Sequence, residues 1–319
     1  MQFNIVSVLP IITVSFGACA FLAGYGIALG NDHVDPWIPY ISDCGTAWPE
    51  SMVFGQLLNA FAFSLALLIY LLYCQHVSEF EEHFNTRKGH KYFTKFVMIW
   101  GIVSTAGASI VANFSEGNQL TVHSIGAFTF FIGITIYFAF IIAIALMIRR
   151  QTSVLTYCRI VLVIAIAITL IFHATCVFAQ PFVTRVNGKL PPTPNWPLSI
   201  ERPKPGTTFY TNHVAAALSE WILAILQLIF ISTFIAEFST NNFERPRFVK
   251  VLEMYNTSDT GSSHRKHEQD AYRLPYYDSF SPNISPPTFS NRRLQRFDQI
   301  HTASDTGYSA GLTGSGRHF

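Results

Sequence analysis

Five polar residues within long apolar stretches are the side chains of this sequence that could do chemistry. They are Asn113, His123, His173, His213 and Glu220. A carboxylate inside hydrocarbon is costly, so Glu220 requires a partner or water. His213 precedes it by seven residues, two helical turns, which places both on nearly one helix face about 10 Å apart along the axis. The pattern predicts a polar cluster in the outer half of a membrane.

Three chemistries fit such a cluster. It could be an interhelical hydrogen-bond network that fixes helix packing. It could be a proton- or lipid-responsive site, because histidine, with an ordinary pKa of about 6.5, would become charged in an acidic lumen and could pair with Glu220. It could also hold a zinc ion whose bound water hydrolyses lipids. No HExxH-like spacing supports a metal, so we expect no cofactor, no metal and no enzyme activity, with an intramembrane metal-dependent lipid hydrolase as the alternative.

Six apolar segments must position these residues. Half of the chain is hydrophobic and only 13% is charged, about half the charged share of a soluble domain. About 20 apolar residues suffice to cross a bilayer. The sequence therefore predicts an all-α, polytopic membrane protein with six transmembrane helices in one bundle over residues 1–238. The spans are about 5–29, 52–73, 95–113, 123–147, 159–180 and 213–238.

The segments between and after the spans have distinct compositions. Residues 74–93 are charged without apolar periodicity and are expected to form a solvated loop. Residues 181–212 contain seven prolines, which favours an extended cover. Span three is rich in small residues, including Gly101, Ser104 and Ala108, which allow helices to approach closely. The polar composition of residues 239–319 predicts a disordered tail.

The placement of cations predicts the orientation. No lysine or arginine precedes Arg87. A cytosolic amino terminus places most cations near the membrane on the inside, and the positive-inside rule then puts both termini in the cytosol. The inside cations are Arg87, Lys88, Lys91, Lys95, Arg149, Arg150 and Arg159. The formal net charge is only +2 and no basic patch is interleaved with aromatics, so the expected partner is the lipid bilayer and not nucleic acid.

The most individual stretch is His33 to Ser51, HVDPWIPYISDCGTAWPES. Its three prolines and Gly45 exclude a continuous helix, so we expect a shaped loop. Trp37, Tyr40 and Trp48 are aromatic residues of the kind that lie at the level of lipid headgroups. Pro49 and Glu50 suit the first turn of a following helix.

This loop carries a resemblance to a known family. Four stretches carry it: PYISDCGTAWPESMVFG followed by Asn59, IVANF at 110–114, His123 before Gly126 and Ala127, and His213 before Ser219, Glu220 and Trp221. Together they resemble the DRAM (damage-regulated autophagy modulator) family of the wider FRAG/DRAM group. The resemblance covers about residues 1–240. The loop-motif residues are Pro39, Tyr40, Ser42, Asp43, Gly45, Thr46, Pro49, Glu50 and Ser51.

The resemblance implies a six-span protein of lysosomal or endosomal membranes that modulates autophagy. Two alternatives come from the same wider group: a plasma-membrane scaffold for a phosphoinositide kinase, and a Golgi or endoplasmic factor for lipid and GPI-anchor remodelling with a lumenal-side His/Glu site. A channel or transporter is a third class, but the spans lack repeated charged positions and paired broken helices.

The tail contains two short patterns. Tyr277 to Phe280, YDSF, fits the tyrosine-based signal for endosomal and lysosomal sorting, so sorting adaptors are possible partners. Phe297 to Ile300, FDQI, has the aromatic-x-x-aliphatic core of an autophagy-adaptor ligand, which binds as an added strand. Both patterns presuppose a cytosolic tail.

Overall fold

The computed structural model describes residues 5–84, 88–148, 153–192 and 203–239. These residues belong to one compact unit, residues 1–245. Residues 240–319 of the predicted disordered tail, which include the motif residues Tyr277 and Phe280, lie outside the described residues.

The regular structure of the described residues is helical, apart from one isolated antiparallel bridge between Val186 and Lys189. A 3-10 turn, Ile5–Ser7, leads into the first helix. The helices are α1 (Val8–Gly30), α2 (Glu50–Phe84), α3 (Lys88–Asn113), α4 (Leu120–Ile148), α5 (Val154–Phe178), α6 (Tyr210–Ser232) and the short α7 (Phe234–Ser239).

Among the residues that the structure describes, six helical segments are long and apolar enough to cross a membrane. They are α1 to α5 and the combined α6 and α7 segment, Tyr210–Ser239. The all-helical, six-span fold predicted from composition is therefore confirmed. Because consecutive spans alternate in direction, residues 31–49, 114–119, 179–192 and 203–209 lie on one side of the helical unit. We call this the loop side, and the other the opposite side.

The solvated loop expected over residues 74–93 is wrong. Helix α2 continues to Phe84 and α3 already begins at Lys88. His76 and Phe80 lie one turn apart on α2 and are both buried, and the Phe80 ring stacks on His90 of α3 with centroids 4.7 Å apart. The predicted end of span two was too early because buried side chains at i and i+4 extend the helix beyond the apolar run.

The spans pack in sequence, α1 on α2, α2 on α3 and so on to α5 on α6, and α6 returns to α1. Their common core is aliphatic and aromatic. Phe138 of α4 stacks on Phe230 of α6 with ring centroids 3.9 Å apart, and Phe61 of α2 meets Phe130 of α4 edge-on. Helix α5 packs more closely on α6 than on α4, which leaves a seam between α4 and α5.

Small residues bring α3 and α4 together, as their abundance in span three predicts. A Cβ atom on Gly107 would lie 2.5 Å from the carbonyl oxygen of Gly126, and one on Gly126 would lie 2.7 Å from Ile110 Cγ2. Such distances are too short for any side chain larger than hydrogen. The backbones of α3 and α4 are thus in direct contact at Gly126, about one helical turn after His123 in the chain.

Candidate functional site

The stretch from His33 to Pro49 is a loop, as its prolines predict, and it is held close to the helix ends. The Tyr25 hydroxyl of α1 donates to the Pro36 carbonyl at 2.9 Å. Within the loop, the Tyr40 amide donates to Asp43 Oδ2 at 3.3 Å, at the entry to a 3-10 turn over Asp43–Gly45. The Trp37 and Trp48 side chains are exposed, which suits the headgroup level expected for them.

Glu50 begins α2 as predicted, but its carboxylate is fully buried. Its Oε1 lies 2.6 Å from Nδ1 of the half-buried His33. A carboxylate in the first turn is favoured by the helix dipole. His33 gives the buried carboxylate a polar partner in place of the water that burial excludes. The two ends of the loop are therefore joined through these two side chains.

Two adjacent residues of α6 hold the middle of the loop. Glu220 Oε2 accepts a buried hydrogen bond from the Ile41 amide at 2.7 Å. Trp221 Nε1 donates to the Pro39 carbonyl at 2.8 Å, and its ring packs edge-on against Phe21 and Tyr25. The sequence motif that contains Glu220 and Trp221 therefore binds the loop motif directly.

Cys44 belongs to the same loop and is fully buried, and its thiol donates to the Tyr40 carbonyl at 3.3 Å. Burial raises the pKa of its thiol to about 12, and the negative charges of Glu220 and Glu50 add to the rise. A buried thiol of this kind behaves as a small apolar residue and not as a nucleophile.

A cavity of about 710 Å³ lies beside the loop, between α4, α5 and α6. That volume is within the usual range of small-molecule sites. Tyr40 lies against it, edge-on to His213 with ring centroids 4.9 Å apart. Four residues of the predicted polar cluster line the cavity: His123, His173, His213 and Glu220.

The fifth predicted residue, Asn113, lies away from the cavity lining. Its side chain bonds to Asn59 Oδ1 at 3.1 Å and to the Ser109 carbonyl at 2.6 Å. It belongs to a contact between α2 and α3, so the prediction that all five residues converge is wrong for Asn113. Residue spacing locates a side chain on its own helix but does not tell which neighbour that face meets.

Hydrogen bonds to carbonyl oxygens define the tautomers of two cavity histidines. His123 Nδ1 lies 2.7 Å from the Phe114 carbonyl oxygen, and His173 Nδ1 lies 3.0 Å from the Ala216 carbonyl oxygen. Because a carbonyl oxygen only accepts, Nδ1 carries the proton in each ring. In the neutral imidazole, Nε2 is then an acceptor.

Metal ligation has no geometric support among the residues that the structure describes, because no three His, Cys, Asp or Glu side chains there form a group that could hold an ion. The cavity brings histidines and a carboxylate to one space without grouping them as ligands. The zinc alternative stays a prediction without a ligand set.

Two polar residues at the cavity were not anticipated from sequence. Glu116, in the link between α3 and α4, accepts from the Ser42 hydroxyl at 2.6 Å and so ties that link to the loop. Asn212, one residue before His213, donates from Nδ2 to the Cys176 carbonyl at 2.9 Å. Both line the cavity. Proximity of Asn212 to His213 was the available signal for it, whereas nothing local marks Glu116.

A second buried polar group lies at the opposite side of the bundle. Arg159 of α5, counted among the cations on the cytosolic side, is buried and lies 2.7 Å from Glu237 Oε2 of α7. Its Nε donates to Thr233 Oγ1 at 2.8 Å, and its guanidinium lies 4.7 Å from the Phe234 ring centroid. The signal for this pair was a carboxylate in the last turns of span six facing a cation at the start of span five.

Comparison with known proteins shows the family. The model of the Frag1/DRAM/Sfk1/Cwh43P N-terminal domain matches residues 5–241, which contain all six spans. The chain belongs to this family. The DRAM resemblance read from the loop, His123 and Glu220 motifs is confirmed.

Several curated proteins are similar to this chain. Human DNA damage-regulated autophagy modulator protein 1 is 29% identical over 232 residues, 72% of this chain and 90% of that protein. Bovine DNA damage-regulated autophagy modulator protein 2 is 29% identical over 258 residues, 79% of this chain and 91% of that protein. Mouse modulator of macroautophagy TMEM150B is 34% identical over 140 residues, 43% of this chain and 55% of that protein. No solved structure matches the chain.

Proposed function

We propose that this Frag1/DRAM-family chain is a multi-pass protein of lysosomal or endosomal membranes that modulates autophagy without catalysing a reaction. The observation that carries the proposal is the extent of the similarity. Relatives named autophagy modulators align over about nine-tenths of their own length, and the family match contains the six spans found in the described part of the chain.

The hydrogen bonds of the site support a structural rather than a catalytic use of its polar groups. The Glu220 carboxylate holds the Ile41 amide, and His123 and His173 each bond through Nδ1 to a backbone carbonyl. A general base has to reach a substrate proton, whereas these atoms hold helices and the loop together. This favours the hydrogen-bond network among the three chemistries considered for the cluster.

The endolysosomal location rests on the tail signal Tyr277 to Phe280 and on cytosolic exposure of that tail. Replacing Tyr277 with alanine should reduce overlap of the tagged protein with lysosomal markers by more than half and raise its surface fraction. Tyr276→Ala is the matched control, because the pattern that begins at residue 276 ends in Ser279 and lacks a bulky apolar residue.

The same cells, fed and starved, test the role in autophagy. We expect autophagic flux to fall when the protein is depleted, and to be restored by the unaltered chain and by Tyr276→Ala more fully than by Tyr277→Ala. Steady residence of the unaltered protein at the plasma membrane would favour the phosphoinositide-kinase scaffold. Residence in the Golgi would favour lipid remodelling. Either location contradicts the proposal.

Metal content tests the non-enzymatic part. Purified protein and the variants His123→Ala and Glu220→Gln are compared by elemental mass spectrometry. We expect no metal whose amount depends on these two residues. Stoichiometric zinc in the unaltered protein that is lost in both variants would overturn the proposal and favour the lipid hydrolase.

A further inference from the structure

We propose that the cavity between α4, α5 and α6 binds a single-chain lipid whose polar end donates hydrogen bonds, of the class of long-chain amino alcohols. This ligand site is independent of the cellular role proposed above. Three features of the cavity lead to it: an unsatisfied acceptor, the sign of its charges and its apolar opening between α4 and α5.

The first feature is a buried hydrogen-bond acceptor that has no donor. The Asn212 side chain is 7% exposed, and its Oδ1 is buried with no partner while its Nδ2 is used by the Cys176 carbonyl. The tautomers of His123 and His173 leave Nε2 of each ring as an acceptor. A buried acceptor without a donor costs about 1–3 kcal/mol, and a hydroxyl or amine of a bound molecule would supply the missing donor.

The second feature is the charge of the lining. Glu116 and Glu220 contribute carboxylates, and the cavity-lining residues that the structure describes include neither lysine nor arginine, so the lining is negatively charged while its three histidines are neutral. A phosphate or carboxylate headgroup would meet acceptors and negative charge in a site of low dielectric constant, where like charges repel strongly. An amine or hydroxyl headgroup meets complementary groups instead.

The third feature is the seam between α4 and α5. Ile132 of α4 and Ile171 of α5 line the cavity and are also exposed, at 44% and 67%, so the cavity opens there towards the hydrocarbon. Phe128 and Phe178 stack across the seam nearer the loop side, with centroids 5.4 Å apart. Ile132 lies twelve residues into α4, about 18 Å along the helix. An alkyl chain can therefore run from the polar end of the cavity into the bilayer core.

The test is photo-crosslinking of the purified full chain in nanodiscs of phosphatidylcholine. The probe is sphingosine with a diazirine in its chain, and the competitors are unlabelled sphingosine and stearic acid. We expect sphingosine to displace the probe at a concentration at least about 10-fold lower than stearic acid, since hydrogen bonds to charged groups are worth about 1.5–3 kcal/mol. Equal competition by the two lipids, or no saturable labelling, would overturn the proposal.

Two variants locate the site. Ala127→Phe fills the cavity at its α4 wall, while Ala139→Phe adds the same side chain at an exposed position of α4 outside the cavity lining. We expect the first to reduce saturable labelling at least about 10-fold, because the added ring occupies the ligand's space, and the second to leave it unchanged. Equal labelling of the two variants would place the lipid elsewhere and overturn the proposal.

Asn212→Leu removes the unsatisfied acceptor at similar volume. The loss of one hydrogen bond predicts sphingosine binding weaker by about 2- to 10-fold, with a smaller change for stearic acid. Thermal melting and monodispersity of each variant are measured alongside, so that a folding defect is recognised. A folded Asn212→Leu variant with unaltered preference for sphingosine would refute the role of the acceptors.

Discussion

The two buried polar regions of this protein satisfy a buried carboxylate in different ways. At the opposite side, Arg159 and Glu237 neutralise each other, and aromatic rings pack over the guanidinium. At the loop side, Glu220 is satisfied by a backbone amide, and a cavity remains beside it. A mutual ion pair closes the space around it, whereas a carboxylate bound to a loop leaves acceptors facing unfilled volume. The second arrangement therefore leaves room for a ligand, and the first does not.

The largest effect is expected from breaking the ion pair. Arg159→Met leaves the Glu237 carboxylate buried without its cation, which should destabilise the protein by about 3–5 kcal/mol. The measurement is reversible unfolding in mixed detergent micelles. Combining Arg159→Met with Glu237→Gln removes both charges and should recover part of the loss. If the double variant loses as much free energy of unfolding as the two single variants added together, Arg159 and Glu237 do not interact.

The next effect concerns the anchor of the loop. Glu220→Leu deletes the acceptor of the Ile41 amide and should cost about 1.5–3 kcal/mol, as expected for a hydrogen bond to a charged group. Limited proteolysis should then cleave within residues 33–49 faster than in the parent. Glu220→Gln is the control, since its amide oxygen still accepts, and its cleavage rate should remain near that of the parent. Identical rates for all three proteins would contradict the anchoring role.

A smaller effect is expected at the helix crossing beneath His123. Gly126→Ala places a methyl group 2.7 Å from Ile110 Cγ2, so α3 and α4 must separate at a cost of about 1–3 kcal/mol. Gly26→Ala in α1 is the matched control, because a Cβ atom there meets nothing within 4 Å. Thermal melting of the two variants should differ, with the control at or above the parent.

The smallest structural effect, and the sharpest chemical one, concerns Cys44. Its pKa is raised from 9.0 to about 12, and only the thiolate is nucleophilic. At pH 8, alkylation of Cys44 should therefore be roughly 1,000-fold slower in the folded than in the unfolded protein, from the thiolate fraction alone. Mass spectrometry after a timed iodoacetamide pulse measures this ratio. Rapid labelling of the folded protein would show that the loop opens readily.

Local sequence patterns were sufficient to predict the membrane spans but not which side chains of different spans contact each other. The six apolar runs, the helix start at Glu50 and the small residues that let α3 meet α4 follow from composition over short windows. The end of span two was misplaced because His76 and Phe80 are buried by tertiary contacts within a charged segment. Cation placement puts Arg159 at the inner end of span five, but only packing reveals that it is buried against Glu237.

The sequence by itself determined that this chain threads a bilayer with six helices and carries a shaped loop of the DRAM type. Both properties depend on residues adjacent in the chain, since transfer to hydrocarbon and backbone conformation are local quantities. Only the tertiary structure decided that Glu220 holds the Ile41 amide, 179 residues away, that Asn113 faces Asn59, and that α4 and α5 leave a cavity between them. Those features depend on how helix faces are rotated against one another, and that rotation is set by the packing of the whole bundle.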